Sequence, residues 1–368
     1  MSSTQSSSSV SPKMSEKLLA WYRAARRDLP WRQTHDPYRI WVSEIMLQQT
    51  QVATVIPYYA RFLERFPTIM ALAEASLDDL LAIWQGLGYY RRARAMHRAA
   101  RQIVQEYDGQ LPSDAKQLRA LPGIGDYTAG ALLSIAFGQD VPAIDGNVVR
   151  VICRLFDVAD DPTHAAGKRI IVSHDRALLP VGQAGDFNQA MMELGALVCL
   201  PREPLCHTCP LRQDCQALAR DTVNQRPLKR ERAPVPHKTL AALIVKRHDR
   251  ILLLHRVPQG LLGGLWELPG REYEPVQNKH ALSDKLGEML GVEFRLGAEL
   301  GTIEHAYTHF GVTVHVFAAN IEGAPAATGE TWDDQLWLIP EELSKIGITG
   351  VTSKILAKMP WPGSNKLL

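Results

Sequence analysis

Long apolar stretches and net charge are both scarce in this chain. No apolar run approaches the roughly 20 residues that a membrane-spanning helix needs, and no signal-peptide pattern opens the sequence. The net charge is only +2, so overall charge does not by itself indicate a nucleic-acid partner. A local exception is 89–101, whose five arginines favour either a solvated helix face or a phosphate-facing one. These absences predict a protein without a membrane segment.

The pattern of residues changes along the chain. At 368 residues, with 46% hydrophobic residues, two or three domains are expected. Residues 1–13 are Ser-rich and predict a disordered tail. Residues 14–220 repeat apolar residues at helical spacing, 221–237 form a Pro- and Arg-rich linker, and 238–368 carry short β-type runs around one helical stretch. The sequence therefore predicts an all-helical domain followed by an α/β domain.

Cysteines are also few, but four of the five lie in one short loop. Their spacing is Cys199-x6-Cys206-x2-Cys209-x5-Cys215. Without an export signal, such clustering indicates a metal site rather than disulfides. Structural zinc usually takes two separate Cys pairs, whereas one pair with a lone cysteine on either side favours a bulkier iron–sulfur cluster. Zinc and unligated thiols remain alternatives. Arg202 would be displayed by the same loop.

A glycine turn joins two predicted helices within residues 118–138, where the sequence contains LPGIGDYTAG. Gly123 and Gly125 permit positive φ and leave backbone N–H groups uncovered at the start of the second helix. Such amides suit a DNA phosphate. A tight helix–helix turn without a ligand would need the same residues.

Two carboxylic acids stand in different predicted surroundings. In a helix, Glu44 would share a face with Trp41 and Leu47, so burial would raise its pKa, as a general acid requires. Asp145 would cap a helix and accept amide hydrogen bonds, which favour the ionised form. Such a pair suits cleavage of a glycosidic bond. The alternatives are that Glu44 is only a buried acid with satisfied hydrogen bonds and that Asp145 is only a helix cap.

The order of WVSEIMLQQTQV, GLGYYRRA, LPGIGDYTA, AIDGNVVRV and the cysteine loop resembles the helix–hairpin–helix DNA glycosylases, and within them the adenine DNA glycosylase (MutY) family. The resemblance is close over 14–220 and looser beyond. It implies an enzyme that flips adenine, mispaired with 8-oxoguanine or guanine, out of double-stranded DNA and cleaves its N-glycosidic bond. It also implies one 4Fe–4S cluster, a monomer, and a bacterial-type cytoplasmic location with the nucleoid.

The resemblance assigns roles to individual residues. Glu44 would protonate adenine at N7, Asp145 would stabilise or transiently bond the sugar C1′, and Tyr127 and Asn147 would support these carboxyls. The pocket for the flipped base would comprise Arg27, Trp31, Arg32, Leu47 and Gln189. The residues that wedge into the duplex or contact 8-oxoguanine would be Gln49, Leu87 and Tyr89, for which core packing or a cap is the alternative. The DNA backbone would meet Gly123, Gly125 and Arg202, and the cluster would be bound by Cys199, Cys206, Cys209 and Cys215.

Tyr127 separates this chain from close relatives. Members of the endonuclease III type carry a Lys there, which forms a Schiff base and leads to strand cleavage. Tyrosine cannot do this, so the resemblance implies a monofunctional glycosylase. An endonuclease III-like enzyme for another damaged or mispaired base, and a DNA-binding protein without catalysis, are the alternatives.

The C-terminal half resembles the Nudix fold. Only Glu288 stands where that family's metal-binding carboxylates stand, so hydrolysis of nucleotides through that site is not expected. A domain that recognises 8-oxoguanine fits better, and the corresponding stretch offers Tyr307, Thr308 and His309. An ordinary β-strand is the alternative there.

Overall fold

The computed structural model describes residues 12–228, 235–273, 279–307, 310–326 and 330–359. Residues 1–11 of the predicted tail and 229–234 of the predicted linker lie outside the described residues. The first helix begins at Pro12, two residues before the predicted boundary.

The described chain up to 220 is helical, as predicted for 14–220. Its α-helices are α1 (Pro12–Ala25), α2 (Pro37–Leu47), α3 (Val52–Arg65), α4 (Ile69–Glu74), α5 (Leu77–Trp84), α6 (Arg91–Glu106), α7 (Ala115–Ala120), α8 (Asp126–Ala131), α9 (Gly146–Leu155), α10 (Ala165–Leu178), α11 (Ala184–Leu197) and α12 (Gln216–Ala219). Local residues set their ends: α2 starts where the Asp36 side chain accepts a hydrogen bond from the Tyr38 amide, with Pro37 in the first turn. A single π-type turn, Leu132–Ala136, continues α8.

Helices α1, α9, α10 and α11 pack around one apolar core. Tyr22, Ile152, Ile171, Phe187 and Met191 are buried in it. Fully burying such a side chain stabilises the fold by about 1.5–3 kcal/mol. This core fixes the start of α9 and the inner face of α11, which both contribute to the candidate site.

The second half forms a mixed sheet with a helix on each face, so the predicted α/β domain is confirmed. Its elements are β1 (His237–Arg247), β2 (Arg250–Arg256), β3 (Trp266–Glu267), β4 (Gly270–Glu272), α13 (Lys279–Leu290), β5 (Glu293–Ala306), β6 (Gly311–Glu322), β7 (Trp332–Leu338) and α14 (Gly350–Lys358). The strand order is β3-β2-β1-β6-β5, with β4 paired to β1 and β7 to β2; β1 and β6 run parallel. Leu243 and Leu286 of α13 share one core, whereas Ile244 and Ile355 of α14 share the other. Burial on both faces explains the nearly continuous apolar run of β1.

By contacts among its Cα atoms, the chain divides into two compact units, one of residues 1–70 and 98–232 and the other of 71–97 and 233–368. The helical pattern of 71–97 gives no sign of this division. Within the described residues, no helix combines the length and the apolar character that crossing a membrane requires.

Candidate active site

Glu44 lies on the buried face of α2. Its side chain is among the buried polar groups of the unit, and Trp41, one turn earlier, is fully buried. Burial raises the pKa of Glu44 to about 7, although a hydrogen bond from Tyr127 acts in the opposite direction. The raised pKa predicted from the spacing of apolar residues around Glu44 is thus confirmed.

Tyr127 holds this acid from the first turn of α8. Its hydroxyl group donates a hydrogen bond of 2.6 Å to Glu44 Oε2. Burial is the main reason why the pKa of Tyr127 is raised well above its usual value, and the nearby carboxylates raise it further. The phenol is therefore protonated at neutral pH and acts as a hydrogen-bond donor.

Asp145 is the N-cap of α9, as predicted. Its Oδ1 accepts hydrogen bonds of 2.8 Å from the amides of Asn147 and Val148, and its Oδ2 accepts one of 2.8 Å from the Asn147 side chain. The cap alone predicts a lowered pKa, and that expectation is wrong: burial raises the pKa of Asp145, and the hydrogen bonds offset only part of the rise. The sequence showed the cap, whereas the burial results from packing.

A buried cluster of opposite charges lies beside the two carboxyls. Glu193 of α11, whose side chain is 1% exposed, accepts hydrogen bonds from the guanidinium groups of both Arg27 and Arg32 at 2.6–3.0 Å. Burial alone would raise the pKa of Glu193, but the hydrogen bonds from Arg27 and Arg32 lower it to about 2. Glu193 therefore stays ionised and fixes the two arginine side chains.

One cleft of about 610 Å³ brings most of the predicted residues together. A volume in the range of about 300–1,000 Å³ is typical of small-ligand sites. The predicted residues that line it are Arg27, Trp31, Arg32, Glu44, Leu47, Gln49, Gly125, Tyr127, Asp145, Asn147 and Gln189. These residues give the cleft an aromatic and aliphatic wall, the two acids Glu44 and Asp145, and a fixed pair of arginines.

Gln49 enters this cleft with an unusual backbone. Its φ is +58°, a left-handed conformation that non-glycine residues seldom adopt. Tyr89, in the second unit, has a similar φ of +50°, and the Arg92 guanidinium lies 5.3 Å from its ring. Leu87 is buried nearby in the same turn. Neither Leu87 nor Tyr89 lines the cleft. Backbone strain of this kind is often found at ligand-contacting residues.

The glycine turn has the predicted helix–turn–helix form, but its two glycines differ. Gly123 has the expected positive φ of +80°. Gly125 does not use the positive φ that a glycine permits: its φ is −92°, and the residue serves as the N-cap of α8. Nothing lies within 4 Å of the position that a Cβ would occupy at Gly125, so the turn remains open there.

The four clustered cysteines surround one small cavity, with Arg154 at its wall. Arg154 is buried, and its Nη1 lies 3.4 Å from Cys199 Sγ. Four thiols around one cavity, with a hydrogen-bond donor at a sulfur, are the donor set that iron–sulfur clusters use. Within the described residues, no three Cys, His, Asp or Glu side chains are grouped as a single metal ion would need. Arg202 is exposed on the same loop.

The comparisons with known proteins agree with this geometry. Residues 42–172 match the family model of the HhH-GPD superfamily base excision DNA repair protein, and 240–358 match that of the NUDIX domain. The adenine DNA glycosylase of Mus musculus is 36% identical and covers 92% of this chain and 76% of its own length. That of Homo sapiens is 35% identical, over 92% of this chain and 72% of its own. The chain belongs to the adenine DNA glycosylase family. It is a base-excision DNA repair enzyme that cleaves N-glycosidic bonds.

A solved structure supports the helical fold. A thermostable thymine-DNA glycosylase superposes with a TM-score of 0.53 at 29% identity, over 56% of this chain and 96% of that chain. In the Nudix domain of this adenine DNA glycosylase family member, Tyr307 is largely buried and its amide donates to the Phe310 carbonyl over 2.9 Å. The other two predicted 8-oxoguanine contacts, Thr308 and His309, lie outside the described residues.

Several residues of the cleft escaped the sequence analysis, and two of them contact groups of the candidate site. Glu193 and Met192 both line it, and Met192 Sδ lies 3.2 Å from the Tyr127 hydroxyl. The signal for Glu193 was available, because it is an acid among the apolar residues of MMELGALV, the same pattern that identified Glu44. Nothing in the sequence pairs Met192 with Tyr127, 65 residues away.

Proposed function

We propose that this enzyme removes adenine opposite 8-oxoguanine or guanine in double-stranded DNA and leaves an abasic site without cutting the strand. It acts as a monomer. The observation that carries the proposal is the placement of Glu44, with its pKa of about 7, and Asp145 in one cleft. Cleavage of an N-glycosidic bond needs a proton for the departing base and a negative charge for the sugar cation.

Glu44 supplies the proton. Because Tyr127 donates to Oε2, that oxygen accepts a hydrogen bond and the acidic proton resides on Oε1. The protonated carboxyl donates to N7 of the flipped adenine, which weakens the bond between the base and C1′. Trp31, Arg32, Leu47 and Gln189 surround the base in this arrangement.

Asp145 acts on the sugar. Its ionised form faces the positive charge that develops at C1′, or bonds to it transiently. The Asn147 amide and two backbone N–H groups hold this carboxylate in a single orientation. Burial raises the pKa of Asp145 because its negative charge is poorly solvated. The positive charge that develops on the sugar offsets this cost of desolvation.

Tyr127 accounts for the absence of strand cleavage, since its hydroxyl group cannot form the Schiff base that begins it. Gln49, Leu87 and Tyr89 enter the duplex, and Gly123, Gly125 and Arg202 contact the DNA backbone. The second domain recognises 8-oxoguanine through the stretch that contains Thr308 and His309. The family resemblance supports these assignments.

The cysteine loop holds a 4Fe–4S cluster, bound by Cys199, Cys206, Cys209 and Cys215. When bound, the cluster would keep the loop folded around Arg154. Hydrolysis of the N-glycosidic bond transfers no electrons, so the proposed steps need only the carboxyls. Iron, sulfide and zinc analysis of purified protein tests this assignment: about four irons and four sulfides per chain are expected, and a single zinc ion instead would overturn it.

Base release in single turnover tests the function. The substrates are end-labelled duplexes that carry A opposite 8-oxoguanine, A opposite G, A opposite C, T opposite G, and thymine glycol opposite A. We expect free adenine from the first two only, and strand breaks only after alkali. Release of thymine, or a break before alkali, would contradict the proposal. Release that persists in Glu44→Gln would remove Glu44 as the acid.

The second domain has its own test. We expect His309→Ala to reduce the rate on A opposite 8-oxoguanine while leaving the rate on A opposite G unchanged. An equal loss on both duplexes would instead indicate a structural role for His309.

A further inference from the structure

Two groups in the cleft compete for one hydroxyl proton. Tyr127 Oη lies 2.6 Å from Glu44 Oε2 and 3.2 Å from Met192 Sδ. A phenol has a single proton to donate, and thioether sulfur is a weak acceptor. The carboxyl therefore takes the hydrogen bond as long as the sulfur is a thioether. A stronger acceptor at the position of the sulfur would change this balance.

Met192 is placed where a small oxidant can reach it. It is half-buried on α11 and lines the 610 Å³ cleft. The adjacent Met191 is fully buried in the core and does not line the cleft. Met70 is 44% exposed but likewise lies away from the cleft. The chain thus offers an oxidisable methionine in contact with Tyr127, the hydrogen-bond donor to Glu44, and Met191 and Met70 serve as natural controls.

We propose that Met192 is a modification site, oxidised by hydrogen peroxide to the sulfoxide, and that the new oxygen draws the Tyr127 hydroxyl away from Glu44 and slows base release. This inference rests on the proposed role of Glu44 as the acid. Oxidation of Met192 makes the rate of base release sensitive to oxidants of the kind that damage guanine.

The chemistry of the step is balanced. The sulfur lone pair attacks one peroxide oxygen, an S–O bond forms and the O–O bond breaks. The sulfur loses two electrons, and the other oxygen leaves as water after it takes up the proton of the transferred oxygen. The sulfoxide is polar and its oxygen accepts hydrogen bonds far better than the thioether did.

The change reaches the acid through Tyr127. With its proton directed at the sulfoxide, Tyr127 no longer orients Glu44. The hydrogen bond from Tyr127 lowers the pKa of Glu44, so its loss raises that pKa further. Two effects follow: base release slows, because the carboxyl is no longer held, and the alkaline decline of the rate moves to higher pH. A purely structural disturbance would produce only the first effect.

The test uses the full chain treated with limiting hydrogen peroxide. Peptide mass spectrometry identifies which methionines gain one oxygen, and single-turnover adenine release is measured before and after treatment. We expect Met192 and Met70 to be modified and Met191 to be spared. The rate should fall roughly tenfold, which corresponds to about 1.4 kcal/mol and lies within the range of one hydrogen bond between neutral groups. Each variant is compared with its own untreated rate.

Three comparisons make the result specific. Met192→Leu should keep its rate through the treatment, whereas Met70→Leu should lose as much as the wild type. Dithiothreitol alone should not restore the oxidised wild type, because it reduces oxidised cysteine but not methionine sulfoxide, whereas methionine sulfoxide reductases should. The reductase experiment needs no variant, so it decides the question even if Met192→Leu folds poorly.

Several outcomes would overturn the inference: an unmodified Met192 in inactivated protein, an equal loss in Met192→Leu, no recovery once Met192 is reduced, or an unshifted pH profile. Failure of the proposed function looks different. In that case untreated enzyme would release no adenine in a Glu44-dependent manner, whatever mass spectrometry shows at Met192.

Discussion

Arg150 Nε donates a hydrogen bond of 2.7 Å to the backbone carbonyl of Cys199. Through Nη2 the same guanidinium group donates to Asn147 Oδ1 over 2.6 Å and to the Gly195 carbonyl over 2.8 Å. The Asn147 amide in turn donates to Asp145. One side chain of α9 therefore connects the candidate catalytic aspartate with the first cysteine of the loop.

Because Arg150 connects these groups, removal of its guanidinium group should lower both the stability of the protein and the rate of adenine release. Arg150→Lys keeps the charge, but its single nitrogen cannot reach the acceptors that Nε and Nη2 of the guanidinium group contact separately. We expect the free energy of unfolding to fall by about 1–3 kcal/mol, measured by urea denaturation, and adenine release to slow because Asn147 is no longer held. Arg169→Lys, at an exposed arginine of α10, is the control and should change neither quantity.

Much of the site was predictable because its signals are local. A cap is a property of a few consecutive residues, so Asp145 could be placed at the start of α9 from its sequence. The apolar neighbours of Glu44 lie one turn away on the same helix, so its burial and raised pKa could be predicted as well. The α/β character of the second half followed from its short β-type runs around one helical stretch.

The remaining features depend on contacts between distant parts of the chain. Glu193 meets Arg27 across 166 residues, and no local pattern encodes that pair. The pKa of Asp145 was predicted with the wrong sign because its hydrogen bonds are local whereas its burial is created by packing. At Gly125 the sequence allowed a positive φ, but the cap of α8 required only an ordinary extended conformation.

The pH dependence of base release tests the state of Glu44. Because Glu44 must be protonated and its pKa is about 7, the single-turnover rate should fall about tenfold per pH unit above that value. Tyr127→Phe removes the hydrogen bond that lowers this pKa, so the decline should begin at higher pH while the maximum rate drops. An unchanged alkaline limb in Tyr127→Phe would contradict the assignment of the titrating group.

The exposed Arg202 provides a test of the cysteine loop as a DNA contact. Arg202→Ala should weaken duplex binding and reduce the slope of log Kd against log salt by about one, because one phosphate contact is lost. Arg202→Lys keeps the charge and should retain the slope. Visible absorbance of the proposed 4Fe–4S cluster is the control, and it should be equal in all three proteins. Weaker binding with an unchanged slope would show that Arg202 contacts no phosphate.

The unit that contains the cleft also buries the carboxyl of Asp175, which lies outside the cleft. It lies on α10 with 0% exposure, and within the described residues neither of its carboxylate oxygens has a hydrogen-bond partner. Burial raises the pKa of Asp175 to about 7. Unfolded, the same group titrates near 3.9. Between these values the folded state holds a proton that the unfolded state releases, so stability falls as pH rises from about 4 to 7.

This linkage predicts that Asp175→Asn stabilises the protein at alkaline pH. At pH 8 the wild type must bury an unpaired charge, whereas Asn buries a neutral amide of nearly the same shape. We expect the variant to unfold with a free energy higher by about 4 kcal/mol at pH 8. The difference should shrink toward zero below about pH 3, where Asp175 is protonated in both states. Urea denaturation across this pH range measures it, with Asp160→Asn at an exposed position as the control. Equal stability of wild type and Asp175→Asn at pH 8 would mean that the Asp175 charge is solvated or paired in solution.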